Sequence, residues 1–317
     1  MRKALALAAV AAALAFPLVA QPLGWEFYIG FASRVMIYAL AASSLNLILG
    51  YGGMISFGHA AFVGAGAYVV GILMAEGTGS AWVSFPLAVL VAGLLAAAVG
   101  AISLRTRGVY FIMITLAFAQ MIYYVVVGMK AYGGEEGLNL ATRSAVGFGL
   151  NLKDDATFYY FVLAILAAGL YGLHRLANAR FGRVVEAIRE NETRMEAIGF
   201  PTYRYRLACF AIGGAIAGLA GALLANQNTY VNPSLLYWTQ SGTLMIMVIL
   251  GGVGSLYGGL IGAVVLLVLE ETVSAYTIYW QLGVGVVLLA IVLFAPQGIA
   301  GWFAPRPEKE GAGSGAP

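Results

Sequence analysis

An all-α, polytopic membrane bundle is the fold class this sequence predicts, and three observations predict it. Of 317 residues, 61% are hydrophobic and only 10% are charged, against roughly 25% charged in a soluble globular chain. The apolar residues come in continuous runs of about 20, the length that crosses a hydrocarbon core about 30 Å thick. They do not alternate, as the strands of a membrane β-barrel do. Glycine is abundant, at 42 residues. Soluble helices avoid it, at about 1 kcal/mol relative to alanine, whereas membrane helices use small residues to approach closely.

The candidate spans run near 4–20, 30–50, 56–75, 82–104, 108–129, 158–175, 207–226, 239–251, 256–272 and 276–296. These are ten segments for an expected eight to ten crossings. The last three divide one long apolar stretch at the Gly-rich 251–259 and at Glu270 and Glu271. Residues 1–22 read either as a first helix, a signal-anchor, or as a cleaved signal peptide. Leu18, at the −3 position before Ala20, is a poor cleavage signal and favours the helix. The permease domain proper covers 23–304, and the Gly/Pro/Glu-rich 305–317 reads as a disordered tail.

Orientation follows from Lys and Arg. With ten spans and the N-terminus inside, Arg2, Lys3, Arg105, Arg107, Arg175, Arg180, Arg183, Arg189, Arg194, Arg204, Arg206, Arg306 and Lys309 all face the cytoplasm. Arg34, Lys130, Arg143 and Lys153 lie outside. Both termini are then cytoplasmic. Two loops are long enough to carry structure: an outer one, about 130–157, and an inner one, about 176–206.

The inner loop is a strong helix former. Val184, Ile188, Met195 and Ile198 recur at helical spacing as one apolar stripe, and Glu190 and Arg194 stand at i, i+4. Asn191 divides it into two short helices, and Gly199 before Pro201 stops the second. Such a loop either lies on anionic lipid or docks on a partner and carries motion into the spans.

Inside the spans, Leu45-Asn46 through Gly58-His59-Ala60 is a Gly-rich break with Asn46, Ser56 and His59 near membrane depth. Irregular backbone there must be buried in protein or line a water-filled cavity. These residues therefore shape a path or satisfy broken backbone groups. Thr115 and Gln120 are polar within one span and face the bundle interior, for helix-to-helix hydrogen bonds or for lining a path. Gly214 and Gly218, with Gly221 beside them, and Gly254, Gly258 and Gly262 form stripes of small residues for close helix contact.

Enzymatic classes find no support. No nucleophile–base constellation is present, so no catalytic residue is assigned. The single Cys209 sits in an apolar run, which excludes a disulfide framework, and nothing suggests a metal site. No basic patch interleaved with aromatics points to nucleic acid. No Gly-x4-Gly-Lys-Ser/Thr loop is present, so the chain binds no nucleotide or other cofactor itself. Ionisable groups are scarce in the spans. That scarcity favours an externally driven permease over an ion-coupled secondary carrier.

The segment Arg180 to Phe200 resembles the cytoplasmic coupling loop of ABC importer permeases, in the form found in branched-chain amino acid permeases. Three other blocks are similar to the same family: Leu45–Tyr68, Arg105–Gln120 and Trp238–Gly259. So is the outer Gly133-Gly134-Glu135-Glu136-Gly137-Leu138. The Arg105-Thr106-Arg107-Gly108-Val109-Tyr110 block and the loop are nearer the LivM type than the LivH type. The resemblance covers about residues 30 to 300. It implies a fold similar to type II ABC importer permeases, in the bacterial inner membrane. It also implies a LivH-type second permease, two ATP-binding subunits carrying ATP and Mg, and a periplasmic substrate-binding protein. It assigns coupling to the ATPase to Arg183, Glu186, Ala187, Ile188, Arg189, Glu190, Asn191, Glu192, Ala197 and Gly199. Asn46, Ser56, His59, Thr115 and Gln120 become candidates for the translocation path. The cargo it implies is leucine, isoleucine and valine or related amino acids, with urea, amides and aromatic acids as alternatives. Glu135, Glu136, Asp154 and Asp155 are candidates to meet the binding protein.

Overall fold

A computed structural model describes residues 2–22, 24–147, 152–294 and 298–303; the expected tail at 305–317 lies outside them. The described chain is helical, with a single pair of two-residue strands that are distant in sequence. Its helices are α1 (Arg2–Ala20), α2 (Glu26–Asn46), α3 (His59–Ala75), α4 (Ala81–Ser103), α5 (Val109–Gly128), α6 (Asp155–Asn178), α7 (Arg180–Glu190), α8 (Glu192–Ala197), α9 (Thr202–Asn228), α10 (Trp238–Gly251), α11 (Gly258–Ser274), α12 (Trp280–Phe294) and α13 (Gly298–Phe303). Each of the ten expected spans holds one helix, and α7 and α8 are the two short helices expected around Asn191. Five described helical segments are long and apolar enough to cross a membrane: Glu26–Tyr51, α4, α5, α6 and α9. Among the shorter apolar ones are α3 and α10, which are short because their spans are completed by irregular chain.

α9 is the centre of the bundle, and glycine is what lets three helices reach it. A methyl on Gly221 would stand 1.8 Å from the Val63 carbonyl oxygen of α3, and one on Gly218 2.2 Å from Ala92 Cβ of α4. One on Gly213 would strike Ile48, just past α2. Apolar burial adds little association energy between helices in lipid, so closeness of packing supplies it. Phe62, Phe111 and Phe210 fill the gaps between these backbones, with Phe210 edge-on to the other two at 5.6 and 6.1 Å.

α11 is held the same way. A Cβ on Gly262 would fall 1.6 Å from the Met247 carbonyl oxygen of α10, and one on Gly259 2.5 Å from the Ser43 nitrogen of α2. α1 packs as a helix on α6: Tyr159 and Tyr160 donate their hydroxyls to the carbonyls of Ala13 and Leu14.

At one end of the bundle β1 (Leu138–Asn139) pairs antiparallel with β2 (Tyr230–Val231). The loop before β1 turns so sharply that Gly133, Gly134 and Gly137 all take positive φ, at 83°, 52° and 83°. Side chains disfavour this backbone region, which explains the glycines of that motif. Arg143 is the tie at this end. It donates to the carbonyls of Asn226 (3.2 Å) and Leu152 (3.0 Å) and to Asp155 (2.6 Å), and it lies 4.5 Å from the Phe158 ring centre. Replacing Arg143 with alanine is expected to cost about 2–3 kcal/mol, since hydrogen bonds to charged groups contribute about 1.5–3 kcal/mol. Limited proteolysis should then cut the loop between β1 and α6 at least severalfold faster, while α7 and α8 at the other end stay protected.

Candidate functional site

Two spans are broken, and their breaks meet. After α2 the chain makes a π-helical turn, Leu47–Tyr51, and returns as irregular backbone to His59, where α3 begins. After β2 the chain descends through Asn232–Tyr237 to the start of α10. The two helix starts touch inside the bundle. The Ala60 amide donates to Ser241 Oγ at 2.8 Å, and the Phe57 and Trp238 ring centres are 6.3 Å apart. α3 runs away from the junction towards the β1–β2 end, and α10 runs towards the end occupied by α7 and α8. Irregular backbone is tolerated at this depth only when protein buries it. It is buried here: Ser56, His59, Leu236 and Ser241 are all 0% exposed.

The polar side chains of the junction serve first to satisfy that backbone. Ser56 Oγ accepts from the Gly58 amide at 3.2 Å. Thr115 Oγ1, on α5, accepts from the Phe57 amide at 3.3 Å and donates to the Ile112 carbonyl at 2.9 Å. His59 Nε2 lies 2.8 Å from Ser44 Oγ, whose own proton goes to the Ala41 carbonyl. The imidazole therefore donates from Nε2 and keeps Nδ1 as an acceptor, and Nδ1 is buried without a partner among the described residues. Ser56, His59 and Thr115 are thus brought together.

Gln120 is not part of that group. Five residues on, it has turned away from Thr115 and is half-buried, so only Thr115 of the pair faces the interior in full. Asn46 is also elsewhere, near the α7 end. Its amide donates to the Ser255 carbonyl at 2.6 Å and accepts from the Gly254 amide at 2.9 Å. Ser44, Ser241, Tyr38 and Gln240 escape a reading by motif. Tyr38 and Gln240 line a cavity of about 10 Å³ beside the junction, room for one water. Nothing in local sequence pairs positions some 180 residues apart.

Three other expectations need correction. Gly254 does not continue the Gly258–Gly262 stripe. Gly252 and Gly254 take φ values of 113° and 79°, so this stretch is a turn and the helix starts only at Gly258. Gly214 and Gly218 do form one face, against α4, while Gly221 faces α3. Arg34 falls within the expected span 30–50. It lies eight residues into α2, about 12 Å along its axis, and its guanidinium sits 5.8 Å from the Tyr38 ring centre. The apolar stripe of the inner loop runs through Gly182, Val185, Ile188 and Met195, all buried, whereas Val184 is half-buried and Ile198 is 65% exposed. The break at Asn191 resets the helical period and also puts Glu190 and Arg194 on different helices.

α7 and α8 form a two-faced layer. Asn191 Oδ1 accepts from the Arg194 amide at 2.9 Å and caps α8; Gly199 ends the segment at φ 95°. On the inward side Glu192 holds Arg206 of α9 at 3.1 Å and the exposed Arg107 at 3.4 Å. Ile188 is buried, and Ala187 and Glu192 are partly covered. Arg189 also turns inward at its tip, where a guanidinium nitrogen donates to the Gly50 carbonyl. Arg183, Glu186, Glu190, Asn191, Ala197 and Gly199 remain exposed. Ten coupling candidates therefore separate into an outward set and a set that ties the layer to the bundle. At the β1–β2 end, Glu135 and Glu136 are exposed, whereas Asp154 caps α6 by accepting from the Thr157 amide (3.0 Å) and Asp155 is held by Arg143.

Known proteins share this chain's sequence along most of its length. The LivM permease protein of the high-affinity branched-chain amino acid transport system of Escherichia coli (strain K12) is 27% identical, over 94% of this chain and 77% of its own. A probable LivM of Methanocaldococcus jannaschii is 27% identical over 83% and 90%. The LivH permease protein of Escherichia coli (strain K12) is 27% identical over 86% and 92%. No solved structure matches. Residues 27–295 match the family model for the permease component of branched-chain amino acid transport systems, a range that runs from the start of α2 to the end of α12 and takes in both broken spans and the α7–α8 layer. A multi-pass membrane bundle with that much of its length matched belongs to the branched-chain amino acid transport permease family.

Proposed function

We propose that this chain is one of two unlike permease subunits of an ATP-driven importer that moves branched-chain amino acids across the inner membrane. The observation that carries the reading is the α7–α8 layer: a short, rigid pair of helices with one face locked into the bundle and the other presenting Arg183, Glu186, Glu190 and Ala197 to a partner. A loop that only rested on lipid would not need its inner face pinned by Glu192, Ile188 and Arg189.

In this reading α7 and α8 face the cytoplasm with both termini, and two ATP-binding subunits, holding ATP and Mg, dock there. The β1–β2 end faces a periplasmic binding protein, with Glu135 and Glu136 available to it. The second permease, of the LivH type, completes the path. The junction of α3 and α10 lies where closure and opening must act. Binding protein and ATP can bias the two states only by their differential affinity for them. The path itself is expected to bind leucine weakly, and a high-affinity site on the isolated permease pair, seen by calorimetry, would contradict this.

The test is uptake of labelled leucine by proteoliposomes holding the complete transporter, with and without ATP and binding protein. Uptake should require both. Scrambling 186–188 and 197–199 should abolish it without loss of expression. Uptake driven by a proton or sodium gradient without ATP would instead make the chain a secondary carrier. ATP hydrolysis stimulated by urea, an amide or an aromatic acid, with no leucine uptake, would keep the machine and change its cargo.

A further inference from the structure

Arg189 stands apart from its neighbours in α7. Its guanidinium donates to the carbonyl of Gly50, inside the π-helical turn that ends α2. Its side-chain carbons crowd Gly53: a Cβ on that glycine would stand 2.8 Å from Arg189 Cγ. Gly254, in the α10–α11 turn, stands near the same guanidinium: a Cβ there would be 3.6 Å from Nη1. One side chain of the surface layer thus bonds the first segment of irregular chain at this end of the bundle and stands close to the second. Those two segments are joined to each other by Asn46, which bonds the Ser255 carbonyl and the Gly254 amide.

We infer that Arg189 is the positioning residue that transmits displacement of α7 into the broken spans, through Gly50 to the α2 end and through Asn46 to the α10–α11 turn. The inference rests on the importer reading above and deepens it. The π turn is the part able to move. Gly52 N–H reaches back to the Leu47 carbonyl at 3.1 Å and Gly53 N–H to the Leu49 carbonyl at 3.2 Å, so the ladder here is already irregular. π turns are local distortions within helices that recur at functional sites. Pulling the Gly50 carbonyl shifts that turn. The irregular 52–58 that follows leads directly to His59 and the α3–α10 junction. Glycine at 50 and 53 keeps the arginine side chain against backbone rather than against side chains that would yield, and glycine at 254 leaves room beside its guanidinium. A planar, multi-donor guanidinium suits this contact better than the point charge of lysine.

The test uses the complete transporter in proteoliposomes, with Arg189→Leu, Arg189→Lys and Glu190→Gln compared with the unaltered chain. The readouts are the amount of intact complex, ATP hydrolysed, and leucine moved per ATP. Arg189→Leu should assemble at normal levels and lower the leucine moved per ATP at least tenfold. Arg189→Lys should fall between it and the unaltered chain. Glu190→Gln, on the outward face, should lower the amount of intact complex by weakening docking of the ATP-binding subunits, a loss that Arg189→Leu should not show. A ratio within twofold of the unaltered chain for Arg189→Leu would overturn the inference. So would loss of the assembled complex in that variant, which would make Arg189 a structural tie only. If the unaltered chain itself shows no ATP-dependent uptake, the importer reading fails instead.

Discussion

A single methyl group at Gly221 is expected to cost this protein more than any comparable change in an exposed loop. Gly221→Ala puts a carbon 1.8 Å from the Val63 carbonyl oxygen, and neither partner can yield because both are helix backbone. α9 and α3 must separate, and α4 with them, since α9 carries Gly214 and Gly218 on its α4 face. Overpacking in a tight core costs about 1–3 kcal/mol and sometimes more. Backbone against backbone belongs at the upper end, so Gly221→Leu should leave little folded protein. Gly172→Ala, on α6 with nothing within 4 Å, is the matched control and should be neutral. Thermal unfolding of the detergent-purified chain, read by exposure of Cys209, buried at 0%, separates the two. Equal midpoints for both variants would show that the bundle is far looser than its packing indicates.

Asn46→Ala should give the second large effect. The side chain is 2% exposed and makes two bonds to the α10–α11 turn. Its removal strands the Ser255 carbonyl and the Gly254 amide together. An unsatisfied buried group costs about 1–3 kcal/mol, so a loss of roughly 2–4 kcal/mol is expected. Uptake should fall at least tenfold, because the turn is then free of the α2 end. Asn46→Asp keeps the acceptor for Gly254 but puts a carboxylate against the Ser255 carbonyl, and should be no better. An Asn46→Ala protein with unchanged melting and uptake would show that the turn holds its place without this clamp.

Much of this was legible in the residues. Long apolar runs must be helices in lipid, because a backbone without water has to bond within its own segment; the ten helices follow. Asn191 and Gly199 carried their own local chemistry, an N-cap and a left-handed stop, and each stands where it was expected. The failures share a cause. Gly254, Val184 and Ile198 were read by extending a helical period across a break, and periodicity carries no information once φ leaves the helical region.

The sequence by itself determined that this is a helical membrane protein with a charged, helix-forming loop at one end, because transfer energies and capping act within a few residues of each other along the chain. It also singled out Asn46, Ser56, His59, Thr115 and Gln120 as polar groups at membrane depth. Only the tertiary structure decided what each one meets. It set Ser56, His59 and Thr115 at one junction, Asn46 at a turn some 200 residues away in sequence, and Arg189 on the Gly50 carbonyl. Those pairings depend on how closely helices pack in three dimensions. That is fixed by glycine-to-backbone contacts between distant segments, and no local pattern records it.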